Sequence, residues 1–313
     1  MSEASSPTPT PSTQFSIRRA RPADLTTLLR LTLAGLGRRE LADSVKPGDV
    51  HAFHTHTLRH GRLLVAVAGD RIAGYASTIE RDDVRILSQV FVDERMRSSG
   101  IGRRLVDEID PPDGVTRLLV ASADERASAL YIRRGCVPAW PVYTLTMTAA
   151  ALECLPAGAV NVEPAEISDE LVELDATISG RSRRDDFAFW AGSGGGTPYL
   201  VTLNGETAGV GWIHDPRSGA MSKWYDEEAA VHVGPVGTLS PRDARDGVLA
   251  ILAAVRQAFP GRGASIEIGG PHPALPELLR AGGRLVDAET FMSNVPNRFG
   301  TPDRYVPSGG VLY

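Results

Sequence analysis

Residues 90–109 constrain the fold more than any other stretch of the chain. Val90, Phe91 and Val92 continue an apolar run that begins at Ile86, so they predict a buried strand. After a polar turn, apolar residues return at positions 101, 105, 106 and 109, which is the spacing of one face of a helix. A strand, a short turn and a helix therefore follow one another here.

The turn between this strand and this helix has the composition of a phosphate site. It consists of Arg97, Ser98, Ser99, Gly100, Ile101 and Gly102. Glycine allows backbone N–H groups to approach a ligand closely, and the N-terminus of a helix favours negative charge. Arg97 adds a cation with several hydrogen-bond donors. Together, the strand, turn and helix predict a cradle for a pyrophosphate group.

The spacing of the turn argues against two common phosphate-binding motifs. No Lys-Ser or Lys-Thr pair follows the glycines, as a P-loop requires, and the Gly-x-Gly-x-x-Gly dinucleotide fingerprint is absent. Arg-x-x-Gly-x-Gly after Val-x-Val resembles motif A of the GNAT acyltransferase superfamily, which holds the pyrophosphate of acetyl-CoA. The resemblance implies that residues 97–102 bind this pyrophosphate and that Val90, Phe91 and Val92 bind the pantetheine arm. The alternative is an ordinary left-handed turn before a surface helix.

A second cluster lies further along the chain, as Asp124-x-x-Ala127-x-x-Leu130-Tyr131-x-x-x-Gly135-Cys136. Its spacing predicts a helix that ends at Gly135. It resembles the Asn-x-x-Ala-x-x-Leu-Tyr-x-x-x-Gly-Phe signature of GNAT enzymes, which implies that Tyr131 is the general acid for the leaving thiolate and that Asp124 contacts the cofactor. Asp124 replaces the usual Asn and brings a negative charge, and Cys136 replaces the usual Phe. The alternative for Tyr131 is a core tyrosine beneath the sheet.

The base that removes the proton of the attacking amine has a weaker signal. Glu80 lies at the end of the strand before motif A, so it is the candidate catalytic base. The alternative is that Glu80 is a solvated turn residue.

The order of the predicted elements indicates an α/β fold with a mixed sheet and two GNAT-like domains in tandem. The second half repeats the strand and helix order of the first, and its Asn204-Gly205 turn predicts a hairpin. The predicted regions are a disordered tail (1–14), a GNAT acetyl-CoA-binding domain (15–148), a linker (149–160), a diverged GNAT-like domain (161–295) and a C-terminal tail (296–313).

The repeat differs where it would bind a cofactor. When Gly247 is aligned with Gly100, Ala244 stands in place of Arg97 and Leu249 in place of Gly102. We therefore expect the cofactor in the first half.

Two polar clusters allow more than one interpretation. His51, His54, His56 and His60 could bind a metal, form a polar helix over the acceptor site, or lie on a solvated helix. Arg181, Arg183 and Arg184 could hold an anionic substrate group or form a solvated helix end.

The composition of the chain limits the classes of binding partner that we expect. The net charge is −5 with both signs interspersed, and no apolar run approaches the length of a membrane span, so neither nucleic acid nor a membrane is an expected partner. Two cysteines without a metal-ligand spacing favour a reducing, cytoplasmic setting. We expect an acetyl-CoA-dependent N-acetyltransferase that needs no metal and acts on the amine of a small molecule. The alternative is a non-catalytic acyl-CoA-binding or assembly protein, and either could form an oligomer.

Overall fold

The computed structural model describes residues 14–110, 114–156, 160–218, 230–296, 301–309 and 312. The stretch predicted as a disordered N-terminal tail lies outside these ranges apart from Gln14.

The first half contains the elements that its hydrophobic pattern predicts. For example, Leu25, Leu28, Leu29 and Leu33 form the buried face of the first helix. In chain order the elements are β1 (Ser16–Arg19), α1 (Leu25–Gly35), α2 (Arg39–Ser44), α3 (Ala52–His60), β2 (Gly61–Ala68), β3 (Arg71–Arg81), β4 (Val84–Val92), α4 (Ile101–Ile109), β5 (Thr116–Ala121), α5 (Glu125–Ile132) and β6 (Val137–Met147).

The second half repeats this order, as the sequence predicts, but a short helix occupies part of the predicted linker 149–160. Its elements are α6 (Ala149–Glu153), β7 (Asn161–Pro164), α7 (Asp169–Ser179), α8 (Arg184–Gly192), β8 (Gly196–Leu203), β9 (Glu206–His214), β10 (Val231–Thr238), α9 (Ala244–Ala258), β11 (Ala264–Gly269), α10 (Leu275–Arg280), β12 (Arg284–Ser293) and β13 (Tyr305–Val306).

The strands of the described residues form one mixed sheet that runs through both halves. Its order is β1-β2-β3-β4-β5-β12-β6-β11-β10-β9-β8-β7, and β13 pairs with β10. β12 of the second half lies between β5 and β6 and is antiparallel to both, whereas β6 of the first half pairs with β11. Each half is thus completed by the last long strand of the other.

β4 and β5 separate at a bulge. Their parallel pairing stops at Leu87 and Leu119, although β4 continues to Val92. On its other side, the register of β4 with β3 shifts by one residue at Ser88. An extra residue bends a strand and increases its twist. The carboxyl ends of β4 and β5 therefore diverge and leave an opening in the sheet.

β10 and β11 of the second half also separate, but the C-terminal segment fills this opening. Their parallel pairing ends at Val233 and Ile266, and β13 then pairs with β10. Tyr305 and Val306 are fully buried. Part of the segment that we predicted as a C-terminal tail is thus packed inside the second half.

The two halves share a core on one face of the sheet. Its large side chains come from both halves and include Phe53, Ile86, Leu118, Trp190, Trp212 and Phe291. A buried ionic cluster also joins the halves. The carboxylate of Asp186 accepts a hydrogen bond from Arg81 Nε at 3.0 Å and lies 2.8 Å from His56 Nε2.

Candidate active site

A cleft of about 470 Å³ opens where β4 and β5 separate. Every residue predicted to bind the cofactor lines it except Ser99, and so does Tyr131. These lining residues are Val90, Phe91, Val92, Arg97, Ser98, Gly100, Ile101, Gly102, Asp124 and Tyr131. The structure therefore brings the two sequence clusters together in one cleft.

The glycine turn leads directly into α4. Gly100 has a φ of 85° and Ser98 a φ of 65°, so the chain passes twice through the left-handed region. The carbonyl oxygen of Gly100 accepts the first helical hydrogen bond, from Arg104 N at 3.0 Å. The preceding N–H groups of α4 lack intrahelical partners, as at every helix N-terminus. They are the donors that an anion could use.

Gly102 leaves room beside the turn. A Cβ atom at this position would meet only Val92 Cγ2, at the ordinary contact distance of 3.6 Å. Packing therefore does not require glycine here, whereas close approach of a ligand to the backbone would.

Arginine side chains make the cleft positive. The side chain of Arg97 is 46% exposed, and its ion pair with Glu94 is long, at 3.7 Å. Arg103, Arg126 and Arg133 also line the cleft. Sequence reasoning missed these three, although Arg103 lies in the first turn of the predicted α4 and the other two lie in the cluster around Tyr131.

Asp124 caps α5. Its carboxylate accepts a hydrogen bond from the backbone N–H of Arg126 at 2.9 Å and pairs with the guanidinium of Arg126 at 3.2 Å. The Arg126 side chain lowers the pKa of Asp124 below its usual range. The negative charge that replaces the usual Asn is therefore compensated by Arg126.

Tyr131 packs on the α4 side of the sheet and is 8% exposed. Burial, with smaller contributions from Cys136 and Asp124, raises its pKa to about 12. The phenol therefore remains protonated at physiological pH and can donate its proton into the cleft.

Glu80 does not line the cleft. It faces Arg85 across β3 and β4, and the two side chains form an ion pair in which Glu80 is 44% exposed. Arg85 lies roughly 16 Å from Val90 along the strand, at about 3.3 Å per residue. Glu80 therefore lies outside the lining of the cleft, in an ion pair with Arg85.

The histidine helix is only partly solvated, so a solvated helix, one of the three alternatives, does not describe two of its histidines. His54 and His56 are buried. Tyr75 Oη lies 3.1 Å from His54 Nε2 and donates a hydrogen bond to Gln89 Oε1, also at 3.1 Å. Burial lowers the pKa of His54 to about 3, so this residue is neutral. Within the described ranges, no group of three or more His, Cys, Asp or Glu side chains is arranged to hold a metal ion.

The arginine cluster is also more buried than a solvated helix end would be. Arg181 and Arg183 are buried, and Arg183 Nε donates to Asp175 at 2.9 Å. Only Arg184 is exposed, where it pairs with Asp169 at 2.7 Å. Asp175 therefore supplies the negative charge beside Arg183.

The second half has no open cleft at the equivalent place among its described residues. Ala244 and Leu249, which replace Arg97 and Gly102, are 1% exposed. The carbonyl oxygen of Ser308 lies 3.2 Å from His232 Nε2 of β10, so the C-terminal segment is held in the opening. Packed side chains thus occupy the positions that correspond to the glycine turn of the first half.

A mixed sheet whose fourth and fifth strands separate above a glycine turn defines the GNAT class of acyltransferases. Residues 59–136 match the acetyltransferase (GNAT) domain. The chain thus contains a GNAT domain and has the fold of tandem GNAT proteins, and acyl transfer is the general chemistry of GNAT domains.

Solved structures support the tandem fold across the whole chain. A candidate acetyltransferase from Pyrococcus horikoshii is 17% identical, with 99% of each chain covered and a TM-score of 0.71. A tandem GNAT protein from the clavulanic acid biosynthesis pathway is 15% identical, with 90% of this chain and 98% of that chain covered and a TM-score of 0.59. A GCN5-related N-acetyltransferase from Sphaerobacter thermophilus is 17% identical, with 89% and 95% covered and a TM-score of 0.55.

At these identities the solved structures establish the fold alone. No curated protein sequence is significantly similar to the chain. None of the helices in the described ranges has the length and apolar content of a membrane span.

Proposed function

We propose that this protein is an acetyl-CoA-dependent N-acetyltransferase acting on a small-molecule amine, with residues 15–148 as the cofactor-binding domain. One observation carries the proposal: a single cleft contains a glycine turn at a helix N-terminus, several arginines and a buried, protonated tyrosine. The first two features suit a pyrophosphate, and the third suits a leaving thiolate.

Acetyl-CoA would bind along the opening between β4 and β5. Its pyrophosphate would accept hydrogen bonds from the N–H groups in the first turn of α4. It would also form an ion pair with the guanidinium of Arg97. Beyond Leu87, the edge of β4 that faces β5 is not paired with that strand. This edge could therefore hydrogen-bond the amide groups of the pantetheine arm, as an added strand would.

The reaction would be a direct transfer. The neutral amine attacks the thioester carbonyl carbon, a C–N bond forms, and the C–S bond breaks. Tyr131 donates a hydrogen bond, and then its proton, to the departing sulfur. Because burial raises the pKa of a thiol as well as that of a phenol, the two groups remain comparable in the cleft.

Two measurements test the proposal. Calorimetry should show that the full-length protein binds acetyl-CoA, and a thiol assay should show free CoA when amines are added. The amines would include an aminoglycoside, an amino acid, a polyamine and a peptide. Binding without amine-dependent release would instead identify a non-catalytic acyl-CoA-binding protein, and absence of binding would overturn both interpretations.

A further inference from the structure

Glu289 lies on β12, the strand that the second half inserts beside the cleft. Its neighbour Thr290 pairs with Ala121, the last residue of β5. Glu289 therefore lies beside the loop that leads from β5 to α5. Ser122 of this loop lines the cleft. Glu289 itself does not line the cleft, but the second half thus contributes a carboxylate beside the β5–α5 loop.

The alternation of β12 puts Glu289 on the sheet face opposite Tyr131. Met292 packs in the cluster around Tyr131, whereas Phe291 packs on the other face and stacks on Trp140 at a centroid distance of 4.3 Å. Since side chains alternate along a strand, Glu289 shares the face of Phe291. Tyr131 and Glu289 therefore lie on opposite faces of the sheet, near the end of β5.

The second half repeats this geometry without the carboxylate. Val142 of β6 pairs with Gly269, the last residue of β11, as Thr290 pairs with Ala121. The position equivalent to Glu289 is therefore that of Pro141. The carboxylate of Glu289 is thus found beside the first half, which has the glycine turn. Its equivalent Pro141 is found beside the second half, whose opening the C-terminal segment fills.

The surroundings of Glu289 favour a proton acceptor that titrates near neutrality. Apolar Val142 faces it on β6. The titratable groups of its own strand and of the two strands beside it are Arg284 and Asp287 on β12, Tyr143 on β6 and Arg117 at the far end of β5. Burial and then the charge of Asp287 raise the pKa of Glu289 to about 7.

A further contrast separates Glu289 from Glu80. The carboxylate of Glu80 is held by Arg85. No ion pair or hydrogen bond of the Glu289 carboxylate is found within the described ranges. A general base must have a lone pair free to accept the proton, and the Glu289 carboxylate can do so without first breaking an ion pair.

We propose that Glu289 is the general base of the reaction, an inference that rests on the proposed function. Its carboxylate takes one proton from the substrate ammonium, and the resulting neutral amine attacks the thioester carbon. As the C–S bond breaks, Tyr131 gives its proton to sulfur. The second N–H proton of the amine then passes to the phenolate, and Glu289 returns its proton to solvent. The products are the amide, the free thiol and one proton.

The test compares the wild-type enzyme with Glu289→Gln over a range of pH, using the amine that releases thiol fastest. In the wild type, kcat/KM should rise through a pKa near 7 and then remain level up to the pKa of the amine. In the variant this rising limb of the pH profile, which reports the pKa near 7, should disappear. Activity at pH 7 should fall by about 10²-fold or more and then increase with the neutral fraction of the amine. The Kd for acetyl-CoA should remain within about twofold of that of the wild type.

Asp287→Asn is the matched control. It removes a carboxylate two positions away on the same strand, so it should keep the plateau rate and move the limb to lower pH. Glu289→Asp, which keeps the carboxylate, should recover part of the rate if its shorter chain still reaches. If the Glu289→Gln variant keeps both the rise of kcat/KM near pH 7 and the plateau rate, Glu289 is not the base. That result would leave the proposed function standing. A wild-type protein that binds acetyl-CoA but releases no thiol with any amine would overturn the proposed function as well.

Discussion

Thr290 and Ala121 face each other across β12 and β5, although they belong to different halves of the chain. This pair puts a strand of the second half beside β5, and Met292 of that strand packs in the same cluster as Tyr131. The diverged second half is therefore a structural part of the candidate site, even though its own cleft is filled.

Replacing Tyr131 with Phe should slow thiol release without weakening cofactor binding. The substitution removes the proton donor but keeps the ring that packs in the α4 side of the core. We expect kcat to fall by about 10²-fold and the Kd for acetyl-CoA to change little. Tyr199→Phe is the matched control, because Tyr199 is also 8% exposed but lies in the second half. Equal rates for the two variants would exclude Tyr131 as the acid.

Gly102→Ala should weaken acetyl-CoA binding while leaving the fold intact. The new Cβ would make only an ordinary contact with Val92, and alanine is the better helix former by about 1 kcal/mol. Binding should weaken because the methyl group lies where the pyrophosphate would approach the backbone. We expect the Kd to rise about tenfold or more by calorimetry, with no loss of thermal stability. Unchanged affinity would show that the phosphates lie elsewhere.

Glu289→Gln should stabilise the protein at pH 8 but not near pH 4.5. Burial raises the pKa of this carboxyl from 4.5 to about 7, so its charged form is disfavoured in the folded state. Above pH 7 the wild type carries this unfavourable charge and the variant does not. As the pH falls from 7 to 4.5, Glu289 is protonated in the folded wild type at a higher pH than in the unfolded chain. The stability difference between the variant and the wild type therefore disappears. Melting temperatures at the two pH values measure this effect independently of catalysis, and a stability difference that did not depend on pH would contradict it.

One acetyl-CoA molecule should bind per chain. The opening between β10 and β11 is filled by β13, whose Tyr305 and Val306 are buried. Calorimetry should therefore give a stoichiometry of one. A second equivalent site would show that the C-terminal segment leaves its place when acetyl-CoA is present.

Asp186→Asn should destabilise the protein strongly. The Asp186 carboxylate is buried between Arg81 and His56 of the other half, so the substitution leaves a buried guanidinium without its counter-charge. Loss of one partner of such a pair costs about 3–5 kcal/mol, which urea denaturation can measure. Asp185→Asn is the control, since Asp185 is 52% exposed and pairs with His60 at 3.3 Å. That change should stay within about 0.5 kcal/mol.

The sequence by itself determined the parts of the site that are contiguous in the chain. The strand before Arg97, the turn at Gly100, the helix after it and the helix that bears Tyr131 all follow from local spacing, because hydrophobic period and glycine conformation are local properties. The resemblance of both clusters to one family also implied that they meet.

Only the tertiary structure decided which strands are neighbours and which polar side chains are buried. An alternating pattern tells which residues share a face of a strand, but not which strand lies beside it, so β6 and β12 could have paired within their own halves. For the same reason sequence reasoning considered Glu80, which is near motif A in the chain, but not Glu289, which is on a strand that the second half places beside β5. Burial of His54 and Arg183 likewise depends on partners far away in the sequence, since a buried polar group is stable only where the fold supplies its hydrogen bonds.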